Sequence, residues 1–160
     1  YKLKMSTNSI LDQNLRYISV RSQWGCQPIP NSIQTIEDKE YIMAVGSRIS
    51  LHEEDIGPSG SRKLLYPGPE VESIVSMEVS SDKKFIAVCV RRVIDRSKAT
   101  ILIYDVEAER SYPRPPRLLQ YEDSTSDLFF LGSKFSQDSK YIACFTPRHY
   151  IGIIVFDWKV

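Results

Sequence analysis

Residues 77–88 read Met77-Glu78-Val79-Ser80-Ser81-Asp82-Lys83-Lys84-Phe85-Ile86-Ala87-Val88, and residues 133–144 repeat the pattern as Ser133-Lys134-Phe135-Ser136-Gln137-Asp138-Ser139-Lys140-Tyr141-Ile142-Ala143-Cys144. The two segments align without a gap at an offset of 56 residues. Each carries a Ser-x-Asp-x-Lys sequence followed by an aromatic-Ile-Ala run. This order predicts a β-hairpin whose aspartate holds the turn by accepting hydrogen bonds from backbone N–H groups. The chain therefore uses one supersecondary unit twice.

A third, weaker copy of the hairpin lies upstream at residues 33–45. In this copy we expect Asp38 and Tyr41 to take the places of Asp82 and Phe85. Three copies in one chain indicate an internal repeat rather than a chance match.

More strands are predicted after each hairpin. A third strand follows every copy, at residues 48–52, 100–106 and 152–158, and a fourth follows the first two copies, at residues 62–66 and 116–120. Groups of four short antiparallel strands, repeating about every 45 to 55 residues, are typical of the blades of WD40-like β-propellers. The sequence therefore predicts an all-β fold, a WD40-like β-propeller fragment of about three four-stranded antiparallel blades that form an incomplete ring.

The predicted propeller does not fill the whole chain. Residues 1–24 are expected to form a lead-in that includes an extra strand at residues 15–22, and the partial propeller occupies residues 25–160. Its blades are predicted at about residues 30–70, 72–120 and 128–160. Propellers close with about 4 to 8 blades, so we expect more protein to cover the apolar faces and unpaired edges at both ends. The start at Tyr1 hints that the chain is a piece of a larger protein.

The composition argues against several classes of partner. The 160 residues are 42% apolar and carry a formal net charge of +1. Because the net charge is so small, the protein has no overall electrostatic field that would attract nucleic acid or anionic membrane. No apolar run approaches a membrane span, and the first residues lack a signal core, which favours an intracellular location without membrane insertion. Cys26, Cys89 and Cys144 lack CxxC spacing and are expected to be reduced, buried thiols.

Few residues stand out as candidates for catalysis or metal binding. His52 and His149 have no second ligand at metal-binding spacing, and both are expected to be solvated surface residues. Asp82 and Asp138 could form a carboxylate pair, but their equivalent places in two turns explain them as structural turn residues. No nucleophile elbow or glycine-rich phosphate loop occurs in the sequence. We therefore expect no catalytic site, no metal and no cofactor.

Two basic segments are candidate partner-binding loops. The first comprises Arg91, Arg92, Arg96 and Lys98 in the long hairpin of the second blade, which could touch an acidic surface such as tubulin. The second comprises Arg110, Arg114 and Arg117 around the sequence Tyr112-Pro113-Arg114-Pro115-Pro116. The prolines give this segment extended character suited to docking in a partner groove, although a stiff connector explains it equally well. A plain solvated loop likewise explains the first segment.

With the blades in register, the chain resembles the amino-terminal propeller of axonemal WD-repeat proteins of the cilia- and flagella-associated family. The resemblance covers most of the sequence from about Trp24 to Val160. It is carried, in order, by Trp24-Gly25, Asn31-Ser32-Ile33, Glu37 to Ile42, Gly46, Ile49 to His52, Tyr66-Pro67-Gly68, Val79-Ser80, Lys84-Phe85-Ile86-Ala87, Thr100 to Tyr104, Phe135 to Tyr141 and Trp158-Lys159-Val160.

The resemblance implies a non-catalytic scaffold of the motile cilium or flagellum. It implies a location in the cytoskeleton of the axoneme and, as partners, components of the inner dynein arms and the adjacent regulatory complex, besides the rest of the chain's own propeller. Two alternatives remain open, a propeller of a larger non-ciliary scaffold and the propeller of a hydrolase whose catalytic domain lies outside this chain. A phosphoinositide-binding propeller is disfavoured, because Arg91-Arg92 is only a faint match, is expected in a loop rather than at a blade junction, and the net charge is near zero.

Overall fold

A computed structural model describes residues 28–53, 62–65, 67–111, 114–123, 127–147 and 152–159. These residues form three antiparallel sheets, which we call blades 1, 2 and 3. The predicted all-β stack of about three blades is confirmed. The predicted strand at residues 15–22 and the whole lead-in lie outside the described residues.

The strands follow one another in spatial order within each blade. Blade 1 contains β1 (Ile33–Glu37), β2 (Glu40–Val45), β3 (Arg48–Glu53) and β4 (Arg62–Leu65). Blade 2 contains β5 (Val71–Val79), β6 (Phe85–Arg92), β7 (Lys98–Asp105) and β8 (Arg117–Glu122), with a short helix, α1 (Val106–Ser111), between its last two strands. Blade 3 contains β9 (Gly132–Phe135), β10 (Tyr141–Phe145) and β11 (Ile153–Asp157).

Blade 2 is covered on both faces because side chains alternate across a strand. On β6, Ile86 and Val88 join the apolar core shared with blade 1, whereas Ala87 and Cys89 join the core shared with blade 3. This explains why β6 and β7 are continuous apolar runs rather than alternating ones.

Polar side chains also join the blades along their first strands. The Gln34 amide donates to the Met77 carbonyl (2.7 Å) and accepts from the Val79 amide (3.0 Å). Buried Glu78 accepts from Asn31 of blade 1 (3.1 Å) and from the ammonium of Lys134 in blade 3. Glu78 therefore contacts both neighbouring blades, which makes it the polar centre of the described stack.

The repeated motif builds the same turn in blades 2 and 3. In blade 2, Asp82 accepts hydrogen bonds from the Ser80 hydroxyl (2.6 Å) and the Lys84 amide (3.2 Å). In blade 3, Asp138 accepts them from the Ser136 hydroxyl (2.6 Å) and the Lys140 amide (3.1 Å). Each aspartate therefore holds one turn.

The hairpin of blade 1 departs from the predicted equivalence. Its turn contains only Asp38 and Lys39, because Glu37 already pairs with Glu40. The expectation that Asp38 and Tyr41 replace Asp82 and Phe85 is wrong, since the turn of blade 2 is three residues longer. A shorter turn fixes a different strand register.

The register places Ile42 on the opposite face from its sequence counterparts. The Ala44 amide donates a backbone hydrogen bond to the Ser32 carbonyl. Because hydrogen-bonded and non-hydrogen-bonded pairs alternate along an antiparallel ladder, the Gln34–Ile42 pair, two positions further on, is also a hydrogen-bonded one. In the other two hairpins the hydrogen-bonded pairs that close the turns are Ser80–Phe85 and Ser136–Tyr141. Ile86 and Ile142 belong to the next pairs along, which are therefore not hydrogen-bonded. Consequently Ile42 faces the following blade, whereas Ile86 and Ile142 face the preceding one.

Candidate functional site

The first predicted basic segment lies at one end of blade 2. Arg91 and Arg92 are the last residues of β6 and Lys98 is the first of β7, so of these four residues only Arg96 lies in the turn itself. The expectation that all four project from a loop is wrong, because β6 and β7 extend further than the apolar pattern indicates.

Carboxylates neutralise this basic segment. Arg92 pairs with Glu70, and Arg96 pairs with Glu72 at 3.0 Å. Lys98 pairs with Asp95 at 2.8 Å, and their hydrogen bond raises the pKa of Lys98 and lowers that of Asp95.

Arg91 is held by an aromatic ring as well as a charge. Its guanidinium lies 4.1 Å from the ring centroid of Phe129 and 3.7 Å from the Asp127 carboxylate. Because Asp127 and Phe129 belong to the connection between blades 2 and 3, Arg91 fastens that connection to β6. The described geometry gives this segment a structural role, and its binding to a partner stays a prediction.

The second predicted basic segment lies at the opposite end of blade 2. Arg117 begins β8 and pairs in register with Ile103, five strand positions from Lys98. Arg110 lies in α1, and its side chain is outside the described residues, as are Tyr112 and Pro113. The structure therefore does not bring the two basic segments together.

Arg114 and the two prolines after it border a groove between blades 2 and 3. The groove has a volume of about 220 Å³ and an apolar lining of Phe85, Ile103, Ala108, Pro115, Pro116 and Trp158. We call it the proline groove. The Trp158 ring meets Phe85 edge-on, with centroids 4.7 Å apart, and its indole N–H donates to the Ser139 carbonyl at 3.1 Å.

Two carboxylates also line the proline groove, and both are engaged. Asp105 caps α1 by accepting a hydrogen bond from the Ala108 amide at 2.9 Å. Glu109 is buried and forms an ion pair with Lys63 of blade 1 at 3.9 Å. The charge of each is therefore partly compensated within the chain.

The face of blade 3 turned away from blade 2 is apolar and uncovered. Ile153 is 61% exposed and Val155 is 59% exposed, and both alternate with residues packed against blade 2. Tyr141 and Phe145 of β10 are exposed on the same face. Within the described residues, no strand pairs with the free edge of β11.

The outer face of blade 1 is apolar at its edges and buried at its centre. Ile33 and Leu64 are each more than half exposed, whereas Ser50 and His52 are buried. The expectation that His52 is a solvated surface residue is wrong, because its ring stacks on Tyr41 (5.0 Å) and lies 2.7 Å from the Ser50 hydroxyl oxygen. His149 lies outside the described residues.

The thiols lie inside the stack rather than at a reactive surface. Cys89 and Cys144 are free and buried between blades 2 and 3, as predicted, and burial raises the pKa of both. Cys26 lies outside the described residues. In the part of the chain that the structure describes, no group of three or more His, Cys, Asp or Glu is placed to hold a metal ion. The same part contains no helix with the length and apolarity that a membrane crossing requires.

Sequence reasoning missed the proline groove, although one signal was present. Asp105 followed by Glu107 is an N-cap with an acidic first turn, which marks the start of α1. Phe85 and Trp158 lie at corresponding ends of neighbouring blades, which only the stacking of the blades shows.

Comparisons with known proteins agree with this architecture. No protein-family model and no curated protein sequence matches the chain. The crystal structure of the C-terminal WD40 domain of Sif2 is similar at 16% sequence identity and a TM-score of 0.54. The similarity covers 78% of this chain and 32% of that one, so the chain spans about a third of the length of the Sif2 chain. The fold is therefore that of a WD40-like propeller fragment.

Two further structures show weaker similarity. A chain of the mitotic checkpoint complex aligns at 12% identity, over 96% of this chain and 58% of that one, with a TM-score of 0.43. Hsv2 of Kluyvelomyces marxianus aligns at 12% identity, over 68% of this chain and 44% of that one, with a TM-score of 0.33. At these TM-scores neither adds to the fold assignment.

Proposed function

We propose that this chain is part of a non-catalytic protein-interaction scaffold. The observation that carries the proposal is the outer face of blade 3, where exposed Ile153 and Val155 adjoin the free edge of β11. Apolar patches and unpaired edges of this kind mark surfaces that bind protein. The first protein to cover this face is the rest of the chain's own propeller, and further partners bind the rim and loops of the assembled propeller.

A stack of blades suits a scaffold for a mechanical reason. Blade 2 is fixed to both neighbours by apolar cores and by the Glu78 contacts, so its loops stay at set separations. Loops held on a rigid frame bind several partners at defined positions. Affinity then comes from extended surface contacts.

We further propose that the scaffold works in the axoneme of motile cilia or flagella. The support is a resemblance in sequence, from about Trp24 to Val160, to the amino-terminal propeller of one axonemal protein, cilia- and flagella-associated protein fifty-seven. The residues that carry this resemblance occur in the same order along both chains. In the axoneme, the chain would help to dock or position inner dynein arms and the adjacent regulatory complex. The acidic surface of tubulin is a further partner that its basic segments could contact.

The location of the tagged full-length protein in a ciliated cell, followed by salt extraction of the axoneme, tests the axonemal proposal. Gel filtration and affinity purification of the tagged protein test the scaffold proposal. We expect the protein in the cilium, and we expect it to stay with the extracted axoneme or to leave together with inner dynein arms. A protein found only in the cell body would overturn the axonemal proposal. A full-length protein that elutes as a monomer and co-purifies with no other protein would overturn the scaffold proposal.

A further inference from the structure

We propose that the proline groove binds an extended acidic segment of a partner protein, which inserts one large apolar side chain between Pro115 and Trp158. The inference rests on the proposed scaffold role only in taking the ligand to be a protein. The proposed ciliary location has no part in the argument for the proline groove, so the axonemal proposal and the groove proposal can fail independently.

The shape of the groove argues for an apolar side chain. Its volume of about 220 Å³ opens to solvent and is bordered largely by rings and aliphatic groups, among them Phe85, Ile103 and Trp158. Trp158 cannot turn into the space, because its indole N–H is held by the Ser139 carbonyl and its ring contacts Phe85 and Phe135. The proline rings are stiff, so little conformational entropy is lost when a ligand binds.

The charges around the groove argue for an acidic neighbour. Arg114 is exposed, and no carboxylate partner is found for it in the described ranges. The Lys159 ammonium lies over the rings of Phe85 (4.9 Å) and Trp158 (5.3 Å). The carboxylates of Asp105 and Glu109 are already engaged, as described above. Lys159 lies outside the groove lining and already lowers the pKa of the Asp82 carboxyl, so the cation open to a ligand carboxylate is Arg114.

The basic end of blade 2 is the informative contrast. There Arg92, Arg96 and Lys98 each have carboxylate partners within 4 Å, so an acidic ligand would have to displace them. At the proline groove no displacement of Arg114 is required. The prolines that the sequence suggested for insertion into a partner's groove instead form a wall of this chain's own groove.

Fluorescence anisotropy with defined peptides tests the proposal on the full chain. The probe is fluorescein-labelled Gly-Gly-Glu-Glu-Phe-Glu-Glu, with one control peptide that has Gln for every Glu and another that has Ala for Phe. We expect the acidic probe with Phe to bind, and we expect each control peptide to bind at least about fivefold more weakly.

Variants locate the binding. Arg114→Glu is expected to weaken the acidic probe by about tenfold, and Arg114→Gln, which removes the charge without reversing it, by about threefold. Lys140→Glu is the control, because it makes the same change of charge at an exposed lysine outside the groove lining. It is expected to change the affinity for the acidic probe less than about twofold, since solvent and salt screen a charge that does not contact the ligand. Circular dichroism checks that each variant is folded.

Three results would overturn the proposal. The first is no binding of the acidic probe, and the second is equal binding of the Gln peptide or the Ala peptide. The third is equal weakening by Lys140→Glu and Arg114→Glu, because that would show attraction to net charge rather than to the groove.

Discussion

The hairpins β1–β2 and β5–β6 have similar sequences and opposite orientations. Both carry an aspartate before an aromatic-Ile pair, but Asp38 lies in a two-residue turn and Asp82 in a five-residue turn. In the first hairpin Ile42 faces the following blade, and in the second Ile86 faces the preceding one. Because blades 1 and 2 are neighbours, the two isoleucines belong to one core.

Turn length, rather than residue type, assigns the faces of a strand in these hairpins. Side chains alternate with a period of two, so a change of one position in pairing exchanges the buried and outer sets. Blade 1 tolerates the exchange because Met43 and Ala44 are both apolar and both buried.

The largest expected effect comes from a charge in the core. Ile86→Asp or Ile142→Asp places a carboxylate where the native side chain is at most 1% exposed. A buried unpaired charge destabilises by more than about 4 kcal/mol, so neither variant is expected to fold. Circular dichroism and gel filtration measure this, and a soluble, folded variant would show that the strand assignment is wrong.

A double-mutant cycle tests the orientation of Ile42. Ile42→Ala and Ile86→Ala are each expected to lower the free energy of unfolding by about 2 to 4 kcal/mol. Since both side chains line the core between blades 1 and 2, the double variant should deviate from additivity by about 0.5 kcal/mol or more.

The matched control for this cycle pairs Ile42→Ala with Ile142→Ala, because Ile142 belongs to the other core. This pair should be additive in urea denaturation. Additivity of Ile42→Ala with Ile86→Ala, as with Ile142→Ala, would contradict the orientation of Ile42 toward blade 2.

Substitution of the turn aspartates is expected to change the free energy of unfolding by a smaller amount. Asp82→Ala removes the acceptor of two hydrogen bonds and is expected to lower the free energy of unfolding by about 1 to 2 kcal/mol. Asp38→Ala should change it by less than about 0.5 kcal/mol, because Asp38 is exposed and accepts no such hydrogen bonds within the described residues. Equal losses in urea denaturation would mean that the two turns are equivalent after all.

The smallest effect is a pH dependence at the same turn. Partial burial acts to raise the pKa of Asp82, but the hydrogen bonds from Ser80 and the Lys84 amide outweigh it, so the pKa lies below its usual 3.8. The stabilisation is therefore complete above pH 3.8 and is lost as the pH falls through the lowered pKa.

The variant that isolates this pH dependence is Asp82→Asn, which does not titrate. The difference in free energy of unfolding between wild type and variant should narrow as the pH is lowered from about 6 to 3. A difference that is constant with pH would contradict the role of the ionised carboxylate.

The hairpin repeat made most of the fold predictable. Strand chemistry, turn residues and spacing indicate the antiparallel blades directly, since all three are local properties of the chain. The candidate site was less predictable. The sequence places Arg91 and Arg114 in basic segments, but it does not show that Asp127 neutralises the first and that Trp158 lies beside the second.

The all-β class, the order of strands and the turns at Asp82 and Asp138 follow from residues close together in the chain, so the sequence alone is enough to determine them. The face that Ile42 presents, the burial of His52 and the proline groove depend on contacts between blades. Local patterns cannot specify these features, because stacking joins residues tens of positions apart and the register of each blade sets which of them meet.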